Sequence, residues 1–450
     1  MTARQKEAGQ ALLITVLGIT VLIGALGLGI DMGYYRYQKR QLQTAADAAA
    51  LAGAQAYPSG TSYITPAATQ ALNSDGYGAS SGTTATINNP PTCTTSAPCN
   101  LPATDPNHGQ PNFVEVVLTQ NQPTFFSKIF GVTSVPLTAR SEAEANQNCI
   151  YTLSKSGTGV AIGFAFVTTD CGVVDESSGA SAMTCTIGFL NAPSIEIVGK
   201  FSGLICFNLT KPRTGIILPT KPYDPMFYLQ SSEPATTPCG AKVGGTTNTW
   251  AGSPSALPVT GANSPVGNPA ILESGVYCGG ITIGTNAYAS FGNPTSPGSP
   301  TTIVLTSPTP GGLSLGLSHV TTQAGGVTFY NNVGTIQTTF TATFTPVSLS
   351  ASTSGPLKGV LFFQPPTNTS AATIFGSFTF GTFLNGGYYM PGAQLTYAFD
   401  FVTDATNDFA PIVVNNLNFF FSGFTNVSAF TKYAPSGLSP LRSQNAVLVE

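Results

Sequence analysis

Two groups of carboxylates come closest to a reactive arrangement: Asp170, Asp175 and Glu176, and further on Asp400, Asp404 and Asp408. Carboxylates converging in one groove supply the acid and base of glycoside cleavage, and a basic residue beside them would suit a lyase. The first group flanks Cys171 in a turn, and the second lies in DFVTDATNDFA. Both are read as solvated turn or capping carboxylates. The second group is also short of a calcium shell, which takes roughly six to eight oxygens. The two histidines, His108 in NHGQPN and His319 in LSHVT, are too isolated for a Ser-His-Asp arrangement and are read as plain loop residues. GALGLG lies inside an apolar run, without the strand and turn of a phosphate loop. Trp250 and the aromatics Phe419, Phe420, Phe421 and Phe424 could stack on sugars, but are read as core. No catalytic, cofactor-binding or metal-binding residue is assigned.

The eight cysteines are the other chemistry on offer. They contain no CxxC, and two histidines give them little help in building a zinc site, so disulfides in an oxidising compartment are expected. Cys93 and Cys99 close the short loop CTTSAPC and are expected to pair; the other six cysteines leave their pairing open.

What must position such groups is a chain with few charges. Charged residues make up 8% of the sequence, and 16 basic residues face 19 acidic ones, which argues against nucleic acid as a partner. Hydrophobic residues at 42% and aromatics at 10% supply the apolar area for a large core despite 49 glycines and 34 prolines.

From Ala11 to Ile30 the chain carries no charge. At about 1.5 Å per residue this run spans the ~30 Å of a bilayer's hydrocarbon. It is long for a signal peptide's apolar region, and the small residues that follow come only after Asp31, Arg36, Lys39 and Arg40. Basic residues on both flanks leave orientation open; the expected disulfides place residues 31–450 outside the cytoplasm. LQTAADAAALAGAQA is built of strong helix formers, so one helix is expected from Ala8 to Tyr57. Leu42, Ala45, Ala46, Ala49 and Ala52 recur at three- and four-residue spacing, with Gly53 beside them. This smooth face suits either close approach by another helix, as an assembly surface, or packing on the chain's own domain.

GIDMGYYRYQKRQLQTAADAAALAGA resembles the N-terminal signature of TadG-like proteins of Flp (tight adherence) pilus assembly: an apolar helix, an Asp-x-Gly, an aromatic and basic stretch, then the alanine-rich run. The matching positions are Asp31, Gly33, Leu42, Gln43, Ala45, Ala46, Asp47, Ala48, Ala49, Leu51, Ala52 and Gly53. The resemblance implies a single-pass protein of the bacterial inner membrane, with most of its chain periplasmic or extracellular. It also implies partners among other Flp/Tad pilus or envelope components, reached through the N-terminal helix. Prepilin-like cleavage would fall at Gly9, but the position five residues on is Ile14 instead of Glu. VVDESSG, with Asp175, Ser177 and Gly179, is one hydroxyl short of the von Willebrand A metal motif carried by some TadG-like proteins, and the alternating helices of that domain do not follow.

Residues 57–112 read as loop, 112–118 as a strand, PTFFSKIFG as a short helix and VTSVPLTARSEAEA as a second strand. With the helix these make a small pilin-like α+β unit, a likeness strengthened by the resemblance of FFxxxxGVTSVPLTARSEAEA to TadE/TadG-like proteins. Beyond Cys149, runs such as GITIG, TTIVLT, GGVTFYN, GVLFFQ and QLTYAF are separated by Gly, Asn, Ser and Pro. Short uncharged strands of this kind suit stacked coils. The fold class expected is mainly β: a transmembrane and extended helix over 1–56, the α+β unit over 57–147, and an irregular β-helix-like solenoid over 148–450, with a β-sandwich as the alternative. The function expected is a non-catalytic role in Flp/Tad pilus assembly or adhesion; the alternative is a tethered polysaccharide-binding or polysaccharide-cleaving β-helix.

Overall fold

The computed structural model describes residues 3–57, 61–78, 81–96, 99, 101, 105–110, 113–145, 148–169, 171–207, 211–216, 224–243, 248–307, 312–316, 318–341, 348–377, 383–400, 411–420, 424–427, 439–441 and 447–449. The chain divides into two compact units: Met1–Tyr57 with Thr61–Asn146 and Ser443–Glu450, and Gln147–Arg442 with Pro58–Gly60. The extended helix and the α+β region therefore share one unit.

In the first unit, α1 (Ala3–Ala56) is continuous, as its run of helix formers requires. A second helix, α2 (Ile64–Ser74), and the strand β1 (Thr83–Asn88) lie where sequence reading found only loop. The prolines and glycines of this region masked the α2 pattern, yet Pro66 sits in the first turn, where its missing N–H breaks no helical bond. Ile64, Ala68 and Leu72 then repeat every four residues along the buried face. β2 (Phe113–Pro123) and β3 (Ser134–Glu144) are the two strands read from sequence, and β1, β2, β3 and Val447–Leu448 form an antiparallel sheet in that order. The stretch read as a short helix between them is a single 3-10 turn, Ser127–Phe130, closed by Gly131 at φ 81°.

The alternation of β2 and β3 sorts their side chains onto two faces. Val114, Val116, Leu118, Leu137, Ala139 and Ala143 join the core formed with α1 and α2. Glu115, Arg140 and Glu142 occupy the other face and are buried there by the loop that follows β1.

The second unit is a β-helix-like body of parallel strands. One ladder runs through Val304, Tyr330, Phe363, Tyr389, Val413, Tyr151 and Val174, each hydrogen-bonded in register to the next. The chain thus does not wind from one end to the other. It enters mid-stack at Asn148–Thr152, climbs through Gly172–Asp175 and Ile195–Ile197 to Arg213–Thr214, and resumes at Thr249–Ser253 at the opposite end. From there it winds back until Ile412–Phe420 lies in parallel against Asn148–Thr152, closing the stack.

The segment that returns from Arg213–Thr214 to Thr249–Ser253, through its described residues 224–233, lines the outside of that ladder. Tyr389 donates its hydroxyl to Asp224 Oδ2 at 2.8 Å, Tyr330 donates to Glu233 Oε2 at 2.9 Å, and Met226 and Leu229 are fully buried. This explains why VLFF and GYYM are apolar at successive positions: both faces of the ladder are covered. Inside the stack, Phe291, Phe329, Phe362 and Tyr388 follow one another with ring centroids 4.8, 5.5 and 5.3 Å apart. Facing the returning segment, Tyr330, Phe363 and Tyr389 repeat the pattern at 5.0 and 5.3 Å. A second ladder, through Leu257–Val259, Ile281–Ile283 and Leu313–Leu315, shows ordinary alternation and presents its middle residues outward.

All eight cysteines are paired: Cys93–Cys99, Cys149–Cys171, Cys185–Cys206 and Cys239–Cys278.

Candidate functional site

The residues that give α1 its signature are held in place by the rest of the first unit. Asp31, at the end of the apolar run, turns its carboxylate onto the β2–β3 loop. It accepts the backbone N–H groups of Phe125 at 2.9 Å, Phe126 at 3.0 Å and Ser127 at 2.6 Å, together with the Ser127 hydroxyl at 2.7 Å. A carboxylate is suited to this because three adjacent N–H groups at a tight turn have no other acceptors. Four residues earlier, Gly27 leaves room for the Phe126 ring: a Cβ there would lie 2.7 Å from it. Tyr34 meets Phe125 edge to face at 5.3 Å. Between helix and loop a crevice of about 510 Å³ is lined by Leu28, Met32, Tyr35, Pro123 and Val135, among others.

About three turns beyond Asp31, Gln43 donates to Asp47 Oδ1 at 2.9 Å and to the Arg140 carbonyl at 2.7 Å, fastening the helix to β3. Leu42, Ala45, Ala46 and Ala49, with Ala50 and Ala54, are buried in the unit's own core, and Ala52 is half-buried. A Cβ at Gly53 would stand 2.9 Å from Val114 and 3.3 Å from Ile64. The smooth face seen in the sequence is thus the surface on which α2 and the sheet close in. Gly33 has open space around it, and Ala48 and Leu51 are half-buried.

The far face of the sheet carries a buried charge cluster that sequence reading missed. Arg140 bonds Glu115 Oε1 through Nε at 2.8 Å and Asp105 Oδ2 through Nη2 at 2.6 Å, and also pairs with Glu142. Glu115 accepts the N–H groups of Thr92 and Cys93 and the Asn88 amide, which draws the Cys93–Cys99 loop onto the sheet. Burial, and a hydrogen bond shared with Asp105, push the Glu142 carboxyl well above its usual range. Burial acts upward on Asp105 too, but the bonds from Glu142, the Asn107 N–H and Arg140 outweigh it and hold that carboxyl low. The three carboxylates lie close enough together to share a cation, but the Arg140 guanidinium already bonds to all three. A signal existed in the sequence: Glu115 stands alone within the apolar run FVEVVL, and Arg140 and Glu142 share a face by strand alternation.

In the body, Asp175 is fully buried at the end of a strand, accepting from Thr152 Oγ1 and the Ser177 N–H, both at 2.9 Å. Burial pushes its carboxyl up to about 6 against the pull of those bonds. Glu176 is buried and ion-paired with Lys155. Asp170, Asp404, Asp408 and Phe421 lie outside the described residues, as do the side chains of Asp400 and Phe424. Phe419 is buried in the core beside Tyr397, while Phe420 is 50% exposed. His108 sits exposed in a turn, whereas His319 lies in a strand with its ring stacked on Tyr288 at 4.0 Å. Trp250 packs under the Lys242 ammonium, 5.5 Å from its ring centroid.

Two family models match the first unit. Residues 9–56 match the Flp pilus-assembly TadE/G-like family, and residues 33–143 match a Tad-like Flp pilus-assembly family. The N-terminal region of this chain is TadE/G-like. No curated protein and no solved structure matches the chain. The Tad matches cover α1, α2 and the three strands through β3, together with Asp31, Gln43, Gly53 and the Arg140 cluster. Both stop short of the β-helix-like body, which starts at Gln147.

Proposed function

We propose that this chain is a single-pass, non-catalytic component of Flp pilus assembly or of the adhesion it serves. On this reading it is anchored in the bacterial inner membrane by α1, with its disulfide-bonded residues outside the cytoplasm. The observation that carries it is the coincidence of the Tad matches with a unit whose helix exposes an apolar run: Leu12, Leu13, Ile14, Val16, Leu17, Val21, Leu22 and Ile23 are each more than half exposed. Such a surface is stable in hydrocarbon. Because the stripe from Leu42 to Ala49 is used within the unit, partners among pilus or envelope components would meet the helix along residues 12–30. The four disulfides support an oxidising compartment for everything after Asp31.

Deleting the gene tests the role, and a membrane-impermeant thiol reagent on intact cells tests the topology. Loss of pili or surface attachment is expected, with labelling of residues beyond 31 only after reduction. Unchanged piliation and attachment would refute the role, and thiols reactive without reduction only in lysed cells would refute the orientation.

A further inference from the structure

The β2–β3 loop, Thr124–Thr133, exposes an unusual set of side chains for a turn in water. Phe125 is 58% exposed, Ile129 81% and Phe130 68%, and Phe126 and Val132 are exposed beside them. In a soluble domain a contiguous apolar tip of this kind marks a surface that is covered by something else.

Its place on α1 indicates what covers it. The Phe126 ring lies over Gly27, inside the uncharged run that ends at Ile30. At about 1.5 Å per residue, Gly27 is only some 5 Å from the end of that run, so the loop lies beside the last turn of the apolar helix. The apolar surface of α1 and that of the loop are therefore continuous.

The backbone of the loop is also prepared for an apolar medium, where an unpaired N–H costs several kcal/mol. Asp31 accepts the N–H groups of Phe125, Phe126 and Ser127, and the N–H groups of Ile129, Gly131 and Val132 bond to Phe126, Lys128 and Ser127 carbonyls within the turn. Thr124 closes the base of the loop, its N–H bonded to Thr133 O at 3.1 Å and its hydroxyl to Val132 O. Lys128, exposed in the same turn, has the long stem that lets an ammonium reach lipid phosphates while neighbouring apolar groups go deeper.

Resting on the reading that α1 spans a bilayer, we infer that Thr124–Thr133 is a membrane-inserted loop. Its Phe125, Phe126, Ile129 and Phe130 side chains enter the acyl region of the leaflet from which α1 emerges, and Asp31 is the bracket that holds it there. The bound partner is lipid, with anionic headgroups favoured by Lys128. The chain thus grips its membrane at two adjacent points, which fixes the rotation of the first unit about the helix axis.

The test uses the full chain, whose only tryptophan is Trp250. Trp250→Phe is combined with Ile129→Trp, and separately with Phe130→Trp should the first fold poorly. Each is reconstituted into phosphatidylcholine/phosphatidylglycerol vesicles with acyl chains brominated near the headgroup end. A blue-shifted emission that is quenched in the brominated vesicles is expected, and adding Asp31→Ala should reduce both effects. A chain that floats with the vesicles but shows unshifted, unquenched emission at both positions would overturn the inserted loop and leave the anchor standing; such a loop faces water or another protein. A chain that does not float with vesicles at all would overturn the anchor and the loop together.

Discussion

Replacing Asp175 by Asn should make the body more stable at neutral pH and change nothing in acid. The carboxyl is fully buried and held at about 6 where an unfolded chain has 3.8. Below about pH 4 it is protonated in both states and contributes no difference. Between about pH 4 and 6 the unfolded chain releases this proton while the folded body keeps it, so stability falls as pH rises through that window. By about pH 7.5 the burden reaches ~3 kcal/mol. Asn keeps an oxygen for Thr152 Oγ1 and the Ser177 N–H without carrying the charge. Denaturant unfolding of the full chain in detergent can be followed by Trp250, which lies in the body strand Thr249–Ser253. The variant should exceed the parent by up to ~3 kcal/mol at about pH 7.5 and match it at about pH 4. Asp224, also raised by burial, titrates in the same direction, but is common to both proteins and drops out of the comparison. A variant less stable than its parent at neutral pH, or a difference that does not vary with pH, would refute the argument that desolvation governs this site.

In the first unit, two glycines of the α1 signature should respond with opposite signs. Gly53→Val drives methyl groups into Val114 and Ile64 and should cost about 1–3 kcal/mol in thermal unfolding, while Gly33→Ala, in open space, should gain roughly 0.5–1 kcal/mol of helix stability. Arg140→Met leaves Asp105, Glu115 and Glu142 buried without their cation and should cost about 3–5 kcal/mol at neutral pH, by protease sensitivity of residues 83–144, with partial recovery in acid as the carboxyls protonate. Equal protease resistance of variant and parent at neutral pH would show that the cluster adds nothing.

The sequence made α1, β2, β3 and the stacked character of the body legible because each rests on local periodicity or composition. α2 was hidden because Pro66 and the surrounding loop residues outweighed a four-residue repeat only three members long. The solenoid's winding order was hidden for a different reason. Nothing local in CIYT or IVVN says that these strands are neighbours; their pairing joins residues about 260 apart in the chain, Ile150 with Ile412. The apolar faces of VLFF and GYYM did hold a clue, since parallel strands buried on both sides read as unbroken hydrophobic runs. At α1, the spacing of Leu42, Ala45 and Ala49 showed that something packs closely there; only the tertiary structure shows that the partner is α2 and the sheet. The role of Asp31 was equally out of reach, because its acceptor function depends on three N–H groups more than ninety residues away.

The placement of the cysteines follows from this winding. A stack of coils is least stable at its ends, where a strand has one neighbour instead of two. At one end Lys242–Val243 folds back antiparallel against Thr249–Trp250, and Cys239–Cys278 ties the segment preceding that strand to the next coil. Toward the other end Cys185–Cys206 joins the parallel neighbours Met183–Asn191 and Phe201–Cys206. The third bridge, Cys149–Cys171, sits at the seam, on the strand that must receive Ile412–Phe420 after the chain has wound through every other coil. A docking surface that waits so long for its partner is exposed to mispairing while the rest folds, and a covalent link to the adjacent coil keeps it in register. Between residues 279 and 450 the sequence has no cysteine, and there the contacting rings of Phe329, Phe362 and Tyr388 on one face, and Tyr330, Phe363 and Tyr389 on the other, take over the task. Covalent links thus sit where neighbours are missing or arrive late, and aromatic packing serves where both neighbours are assured.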